Sequence, residues 1–515
     1  MGPLSILKIR GSNPLTVVDG GSDLKRKAED LDALIGKQVH AVQELEQDWK
    51  GKAANAARGA AYRNIQHQHR FHEITDAMAT AMIAGGQALA TLRDVLLNWV
   101  STVSQMFNVA DDGVVTTRSP RTGGAWENIA AAFTKCTQNM IKAFLDQDQN
   151  LANSLKSIAG GNTPGNDPKP GPGTEPGIDP DGNINNGQIQ FQQTMAGAGV
   201  PDSTDHGVPR TDLSIMGMTP DGRLFTIQGD TANTMGPSGG PGDPRLADKD
   251  GGRNNIVFWK MDDHGKWVVD EVVKQPFPAA QYPKGVEGDI STIPTSTFNV
   301  GKDMYASVMN VKNWNNNTWE TRSSTLFKST DNGRSWEPVG LTFQNEGQQH
   351  NQPLQVQSYA PNDDGYVYMY GTQDGRTNDG MHVARVLAGD IGNQSEYQYW
   401  DGHGFSKTQD ANTSPPVLTV PTNISGVGEP SVHFYENKAL ATFNDANGGV
   451  FTSSSTDGVN WTVPQRVLGQ LGSYGAFQSP FSGGDTIDVT LSLWNPYGTN
   501  LYSIKNSDTT GLGSY

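Results

Sequence analysis

The sequence predicts a multidomain α and β protein, an N-terminal helical bundle followed by a C-terminal five-bladed β-propeller. Three observations lead there. Residues from about 20 to 158 are rich in Ala, Gln, Leu, Glu and Lys, and their apolar side chains recur at helical spacing. Residues 159–186 are dominated by Pro, Gly, Asn and Asp, which cannot build a core. From residue 187 helical spacing vanishes. Short β-like runs then alternate with Gly, Asn and Asp turns, in groups recurring about every 50 to 70 residues. The expected organisation is a helical domain at 1–158, a linker at 159–186 and a propeller at 187–515.

In the helical part, Ile35, Val39, Val42 and Leu45 keep 3/4 spacing ahead of Trp49. A second helix is predicted from about Arg63 to Val109, with Ile74, Met78, Met82, Leu89, Leu92, Leu96 and Val100 on one face. Gly85-Gly86 is a candidate bend within it. A third runs from Trp126 to Leu155 and carries Ile129, Phe133, Met140 and Phe144. Packed together, three such helices bury stripes that none could hide alone.

In the C-terminal part, β-like runs pair across turns. Ile256–Lys260 precedes Trp267–Val269, Met304–Val308 precedes Ser324–Lys328, and Tyr366–Tyr370 precedes Met381–Val386. Ala439–Phe443 precedes Gly449–Ser453, and Ile487–Leu493 precedes Asn500–Ile504. Roughly five four-stranded sheets result, and sheets of that kind packed radially make a propeller. Ser329-Thr-Asp331-Asn-Gly333-Arg-Ser-Trp336 recurs one residue shorter at Ser455-Thr-Asp457-Gly458-Val-Asn-Trp461. This Asp-box pattern ties a turn with Asp and Ser, lets Gly take a positive φ and packs Trp beneath. Asp331 and Asp457 are therefore read as structural.

Two other aspartates stand apart. Asp212 lies in Thr211-Asp212-Leu213 and Asp230 in Gly229-Asp230-Thr231, on either side of one hairpin turning at Pro220-Asp221-Gly222. The outer ends of a hairpin lie side by side, so both carboxylates reach one end of one sheet. Two carboxylates facing a common cleft are what acid/base hydrolysis of a glycosidic bond requires. The drier of the two should be the acid, because burial raises a carboxyl pKa. Candidate substrate-binding residues near predicted strand ends are His206, Asp289, Gln352, Arg376 and Glu429, with Tyr497 as a stacking ring.

The formal net charge of −16 over 515 residues argues against a nucleic-acid partner, since a polyanion would be repelled. A neutral glycan fits better. No run reaches the ~18 apolar residues of a membrane span, and the first residues lack the pattern of a Sec signal peptide. Cys136 is the single cysteine, so no intrachain disulfide forms. His67, His69 and His72 crowd one helix without the carboxylate spacing of a metal site. No metal and no cofactor is expected.

Residues 205–505 resemble the domain of unknown function 4185, recognised as glycoside hydrolase family 183, the endo-D-arabinanases of actinobacteria. The matching segments keep the family order. They are Gly207–Leu213, Pro220–Thr231, Ile293–Thr295 with Gly301–Tyr305, Ser329–Trp336, Tyr366–Arg376, Gly428–Val432 and Leu491–Tyr497. Gln228, Ser214 and Gln373-Asp374 depart from the family pattern. The resemblance implies a five-bladed propeller whose acid/base pair is Asp212 and Asp230. It implies inverting, endo-acting cleavage of α-D-arabinofuranosyl links in arabinogalactan and lipoarabinomannan. Trp49-Lys50-Gly51, between two helical runs, resembles the turn of WXG-type substrates of type VII secretion. That implies the secretion machinery or a helical partner, and a secreted or cell-wall location. The alternatives are a non-catalytic glycan-binding propeller and a polymorphic toxin.

Overall fold

A computed structural model describes residues 5–49, 51–118, 124–160, 189–197, 200–232, 254–277, 291–315, 318–345, 352–376, 380–407, 411–468, 473–494 and 497–514. Most of the predicted linker, residues 161–186, lies outside these described residues. The chain divides into two compact units, one of residues 1–36 with 68–167, the other of residues 37–67 with 168–515.

The α-helices among the described residues are α1 (Ile6–Gly11), α2 (Leu15–Asp48), α3 (Lys52–Val103), α4 (Ala125–Ala159) and the short α5 (Pro201–Asp205), which His206 caps. In the first unit, Leu89, Leu96 and Val100 of α3 share a core with Ile141, Phe144 and Leu151 of α4. Gly85 and Gly86 are packing sites. A Cβ on Gly85 would lie 2.5 Å from Leu151 Cδ1, and one on Gly86 2.8 Å from Val18 Cγ2. The predicted continuation of α3 to Val109 does not form. Phe107–Val109 instead pairs as a strand with Val115–Thr117. The reason is the turn at Asp112-Gly113. Gly113 has φ +85 and the Asp112 carboxylate accepts from Val114 N at 3.0 Å.

In the second unit a five-bladed propeller is built from residue 189 onward. Blade 1 holds Arg210–Met218, Leu224–Ala232, Asn255–Met261 and Trp267–Lys274. Blade 2 holds Ser291–Val300, Asp303–Asn315, Thr318–Ser329 and Glu337–Gln344. Blade 3 starts at Val356–Pro361, Tyr366–Thr372 and His382–Leu387, and short strands widen it to five. Blade 4 holds Gly428–Phe434, Ala439–Asn444, Val450–Ser455 and Gln465–Leu468. Blade 5 holds Ser473–Gln478, Ile487–Trp494 and Tyr497–Ile504, and its outer strand is Ile189–Gly197. The first strand of the propeller thus completes its last blade, which removes the open edge the ring would otherwise have.

The first strand of each blade faces the axis, and these five inner strands neighbour one another in a closed ring. Apolar side chains fill the space between successive blades, with Trp319, Phe225, Phe258, Tyr370 and Phe443 fully buried. Each is worth roughly 1.5–3 kcal/mol of transfer free energy. Hydroxyls stitch the inner strands to each other. Ser296 Oγ accepts from Tyr359 N at 3.0 Å, Ser358 Oγ from Val432 N at 2.9 Å and Ser431 Oγ from Gln478 N at 3.1 Å. The same serine thus recurs on the inner strands of blades 2, 3 and 4. The stitches satisfy backbone N–H groups buried away from water.

Residues 37–67 pack on the propeller within this unit. Tyr62 lies 5.0 Å from the Trp267 ring and 5.7 Å from Phe481. Gly59 allows that approach, since a Cβ there would sit 3.0 Å from the Phe481 carbonyl oxygen. Trp49 is 44% exposed, and Gly51 takes φ +106. No helix among the described residues is long and apolar enough to cross a membrane.

Candidate functional site

The blade 1 hairpin turns at Thr219–Arg223, where Thr219 N donates to Arg223 O at 2.9 Å. At its other end the pairing is irregular. The register shifts between Arg210 and Asp212 and again between Asp212 and Ile215. Such bulges re-aim side chains. Asp212 falls opposite Gly229, and a Cβ there would come within 3.2 Å of Asp212 Oδ1. The missing side chain leaves space for the carboxyl. The threonines of both motifs meet across the hairpin, Thr211 Oγ1 with Thr231 Oγ1 at 3.1 Å, and Thr211 also donates to Gly229 O at 3.2 Å. Thr-Asp and Asp-Thr are therefore one bonded unit that fixes both acids.

The backbone here is held in costly conformations. Leu213 has φ +46, Asp230 has φ +38 and Glu429 has φ +27, three of the five non-glycine positive-φ residues among the described ones. Positive φ in such residues costs on the order of 1–3 kcal/mol and clusters at functional sites. The local structure over-determines them. Leu213 N donates to Ser492 Oγ at 2.8 Å, and its side chain is buried against Gly475.

Asp212 is 3% exposed and Asp230 2% exposed, so the two are equally dry and dryness alone does not tell acid from base. Tyr474 donates its hydroxyl to Asp212 Oδ2 at 3.0 Å. No donor meets full hydrogen-bond geometry at Asp212 Oδ1 among the described residues. Burial first, then the Asp230 charge, push the Asp212 carboxyl up to about 8, with the Tyr497 and Tyr474 hydroxyls opposing the rise and Glu429 adding to it. Tyr474 and Tyr497 are themselves raised well above the usual phenol range, chiefly by burial, so both remain protonated donors. Burial and mutual repulsion thus let this pair of carboxyls keep a proton that free aspartates would have lost, which suits an acid/base pair.

The other sequence candidates separate. Glu429 is 4% exposed on the inner strand of blade 4, and the Arg376 guanidinium clamps it through two nitrogens, Nε at 3.2 Å from Oε2 and Nη2 on Oε1. Tyr497 is buried, with Arg210 5.5 Å from its ring. Gln352 is 8% exposed, and its backbone N donates to Asn345 Oδ1 at 2.9 Å. Asn345 in turn donates to Asp374 at 2.9 Å. His206 turns away to the Asp202 carbonyl oxygen, 2.8 Å from Nδ1, and its side chain is 42% exposed. Asp289 lies outside the described residues. Asp212, Asp230, Glu429, Arg376 and Tyr497 thus come together.

Sequence reading missed Tyr474. Its signal was Tyr474-Gly475 inside a β-like run, because an isolated Gly in a strand marks a bulge. The register indeed shifts between Tyr474 and Phe477, with Gly475 at φ +62. Two departures from the family pattern also touch each other, Gln228 Nε2 lying 3.4 Å from Ser214 Oγ. Both Asp boxes close as expected. The Asp331 carboxylate accepts from Arg334 N at 3.0 Å and Ser335 N at 2.9 Å, and Asp457 accepts from Asn460 N at 2.8 Å. No three His, Cys, Asp or Glu side chains group as a metal site among the described residues.

A cavity of about 840 Å³ opens at the opposite ends of the inner strands, beside Met218, Asn299, Pro361, Glu436 and Phe481. Asp212, Glu429 and Tyr474 sit near the starts of those strands, so this cavity does not serve them.

No curated protein matches the chain. Among solved structures it is similar to a family 117 glycoside hydrolase of the marine bacterium Zobellia galactanivorans, at 13% identity and TM-score 0.40, covering 63% of this chain and 91% of that one. It is also similar to an exo-1,5-α-L-arabinanase from a bovine ruminal metagenomic library, at 12% identity and TM-score 0.36, covering 58% and 93%. A third is the GH43 endo-arabinanase from Bacillus licheniformis, at 12% identity and TM-score 0.32, covering 56% and 92%. The model of the family described as "Domain of unknown function (DUF4185)" matches residues 199–503, which take in all five inner strands and both hairpin aspartates, and the chain belongs to that family.

Proposed function

We propose that this chain is an endo-acting glycoside hydrolase that cleaves α-D-arabinofuranosyl linkages of cell-wall arabinan. The observation that carries the reading is the pair Asp212 and Asp230, buried together on one strained hairpin, where burial and the second carboxyl push Asp212 above its usual range. Asp212 acts as general acid and gives its proton to the leaving sugar oxygen. Asp230 acts as general base and draws a proton from the attacking water on the opposite face, which inverts the anomeric centre. The Tyr474 hydroxyl stabilises the Asp212 carboxylate left behind by the transfer.

The arabinan assignment rests on the motif order that resembles glycoside hydrolase family 183. On the same footing, residues 1–158 serve as a WXG-like export module and the propeller at 187–515 as the catalytic domain, placing the enzyme outside the cell or on its wall. The test is product analysis after incubating the purified full-length protein with arabinogalactan. Released arabino-oligosaccharides of the inverted anomer are expected, with none from Asp212→Asn or Asp230→Asn. Binding without release would leave a glycan-holding scaffold, and full activity in either variant would overturn the acid/base assignment.

A further inference from the structure

The guanidinium of Arg376 sits among Glu429, Trp319 and Tyr474. It grips Glu429 through two nitrogens and lies 4.7 Å from the Trp319 ring and 5.5 Å from the Tyr474 ring. The side chains are 12% exposed for Arg376 and 5% for Glu429. A buried ion pair of this kind is costly to assemble unless its geometry is good, and removing one partner leaves the other charge uncompensated. The backbone is shaped to hold it. Glu429 sits at φ +27 where the blade 4 register shifts between Gly428 and Ser431. A Cβ on Gly428 would lie 3.1 Å from Arg376 Cγ, so glycine leaves the passage for that side chain. The Tyr474 ring beside Arg376 carries the hydroxyl that donates to Asp212.

We propose that Tyr474 is a positioning residue for Asp212, held in place by Arg376 and, through it, by Glu429. Arg376 and Glu429 thereby act on the acid rather than on the sugar. This rests on the acid/base reading above and deepens it. The charged and titratable groups around Asp212 come from several elements. Asp230 is on the neighbouring strand of blade 1, Tyr474 and Tyr497 are on blade 5, Glu429 is on blade 4, and Arg376 follows the second strand of blade 3. Arg210, on Asp212's own strand, lies against the Tyr497 ring.

Tyr474→Phe removes a donor to the carboxylate, so Asp212 should titrate at higher pH, by roughly half a pH unit or more. Glu429→Gln removes a nearby negative charge, which lowers the Asp212 midpoint, and loosens the hold on Tyr474, which raises it. In a Tyr474→Phe background only the charge effect is left, so Glu429→Gln should lower the midpoint further there than in the wild-type background. The readout is infrared titration of the protonated buried carboxyl band in the full-length protein, assigned by its loss in Asp212→Asn. Kinetics supply a second readout. The alkaline limb of kcat/KM should move with the titration in each variant, while KM stays near wild type.

An unmoved titration midpoint in folded Tyr474→Phe overturns the proposal, and so does a raised KM with unmoved limbs, which would make these residues substrate binders. If Glu429→Gln does not fold, Tyr474→Phe decides alone. The infrared titration does not depend on arabinan cleavage. A moving midpoint in a protein that releases no sugar would therefore sink the hydrolase reading and leave this one standing.

Discussion

The same residue type does two different jobs in one propeller. Asp331 and Asp457, in the Asp boxes, sit at exposed turns, and each accepts hydrogen bonds from the backbone that follows it. Burial is the largest single influence on Asp331 and pushes it up, but bonds from Ser335, Ser329 and Arg334 together outweigh it and hold the carboxyl below its usual range. Asp212 lies deep between blades with a phenol as its fixed donor, and burial wins, so its carboxyl is pushed up to about 8. The difference lies in the count of donors against the loss of water. Where backbone N–H groups surround a carboxylate, charge is cheap and the residue is structural. Where they are missing, charge is costly and the proton becomes available for transfer.

The sharpest way to break that contrast is to neutralise each side. Under the proposed arabinan cleavage, Asp212→Asn and Asp230→Asn should each lower kcat by roughly 10²–10⁴-fold, whereas Asp331→Ala should leave the rate within a factor of two or so of wild type. Steady-state assays on folded protein decide it. Comparable losses at Asp331 would erase the distinction.

The second effect is on stability and its pH dependence. Asp212 has its folded pKa raised from 3.8 to about 8. Between those values the folded state holds a proton that the unfolded chain has released, so stability falls as pH rises through the window. Asp212→Asn removes this liability. Its advantage over wild type in thermal melting should be small at pH 4 and grow toward pH 8, to on the order of a few kcal/mol. An advantage that does not change with pH would mean the carboxyl is not held protonated.

Next in size is Gly229→Ala. The added methyl would lie 3.2 Å from Asp212 Oδ1, 3.3 Å from Leu213 Cδ1 and 3.4 Å from Pro294 Cδ. Displacing the acid slightly should cost about tenfold in kcat with a minor change in melting temperature. Unchanged kcat in a folded variant would show that Asp212 need not be held so closely.

Smallest is the loss at the other side of the comparison. Asp331→Ala removes acceptors for Arg334 N, Ser335 N and the Ser335 hydroxyl, all at an exposed turn. Denaturant unfolding should show a cost of about 1–2 kcal/mol. A larger loss would mean that the box anchors its blade instead of merely closing a turn.

Much of this was legible in the sequence. The hairpin carrying Asp212 and Asp230 could be read from alternation around Pro220-Asp221-Gly222, and the Asp boxes from their spacing, because turns and strand alternation are local properties. The end of α3 was misplaced because a helical stripe does not show where a turn at Asp112-Gly113 becomes the better bargain. Tyr474 was missed for a different reason. It is 262 residues from Asp212 along the chain, and nothing local says that blade 5 will close against blade 1. His206 and Glu429 looked alike as polar residues near strand ends. One faces solvent on a short helix, and the other is drawn inside by a bulge and an arginine from another blade.

Period, turn chemistry and residue order by themselves determined the helices, the five sheets and the hairpin that brings two acids to one edge. Only the closed ring decided which polar groups lost their water and which charges met. Solvation and Coulomb energies depend on distance through space, and those distances exist only once five blades have packed around a common axis.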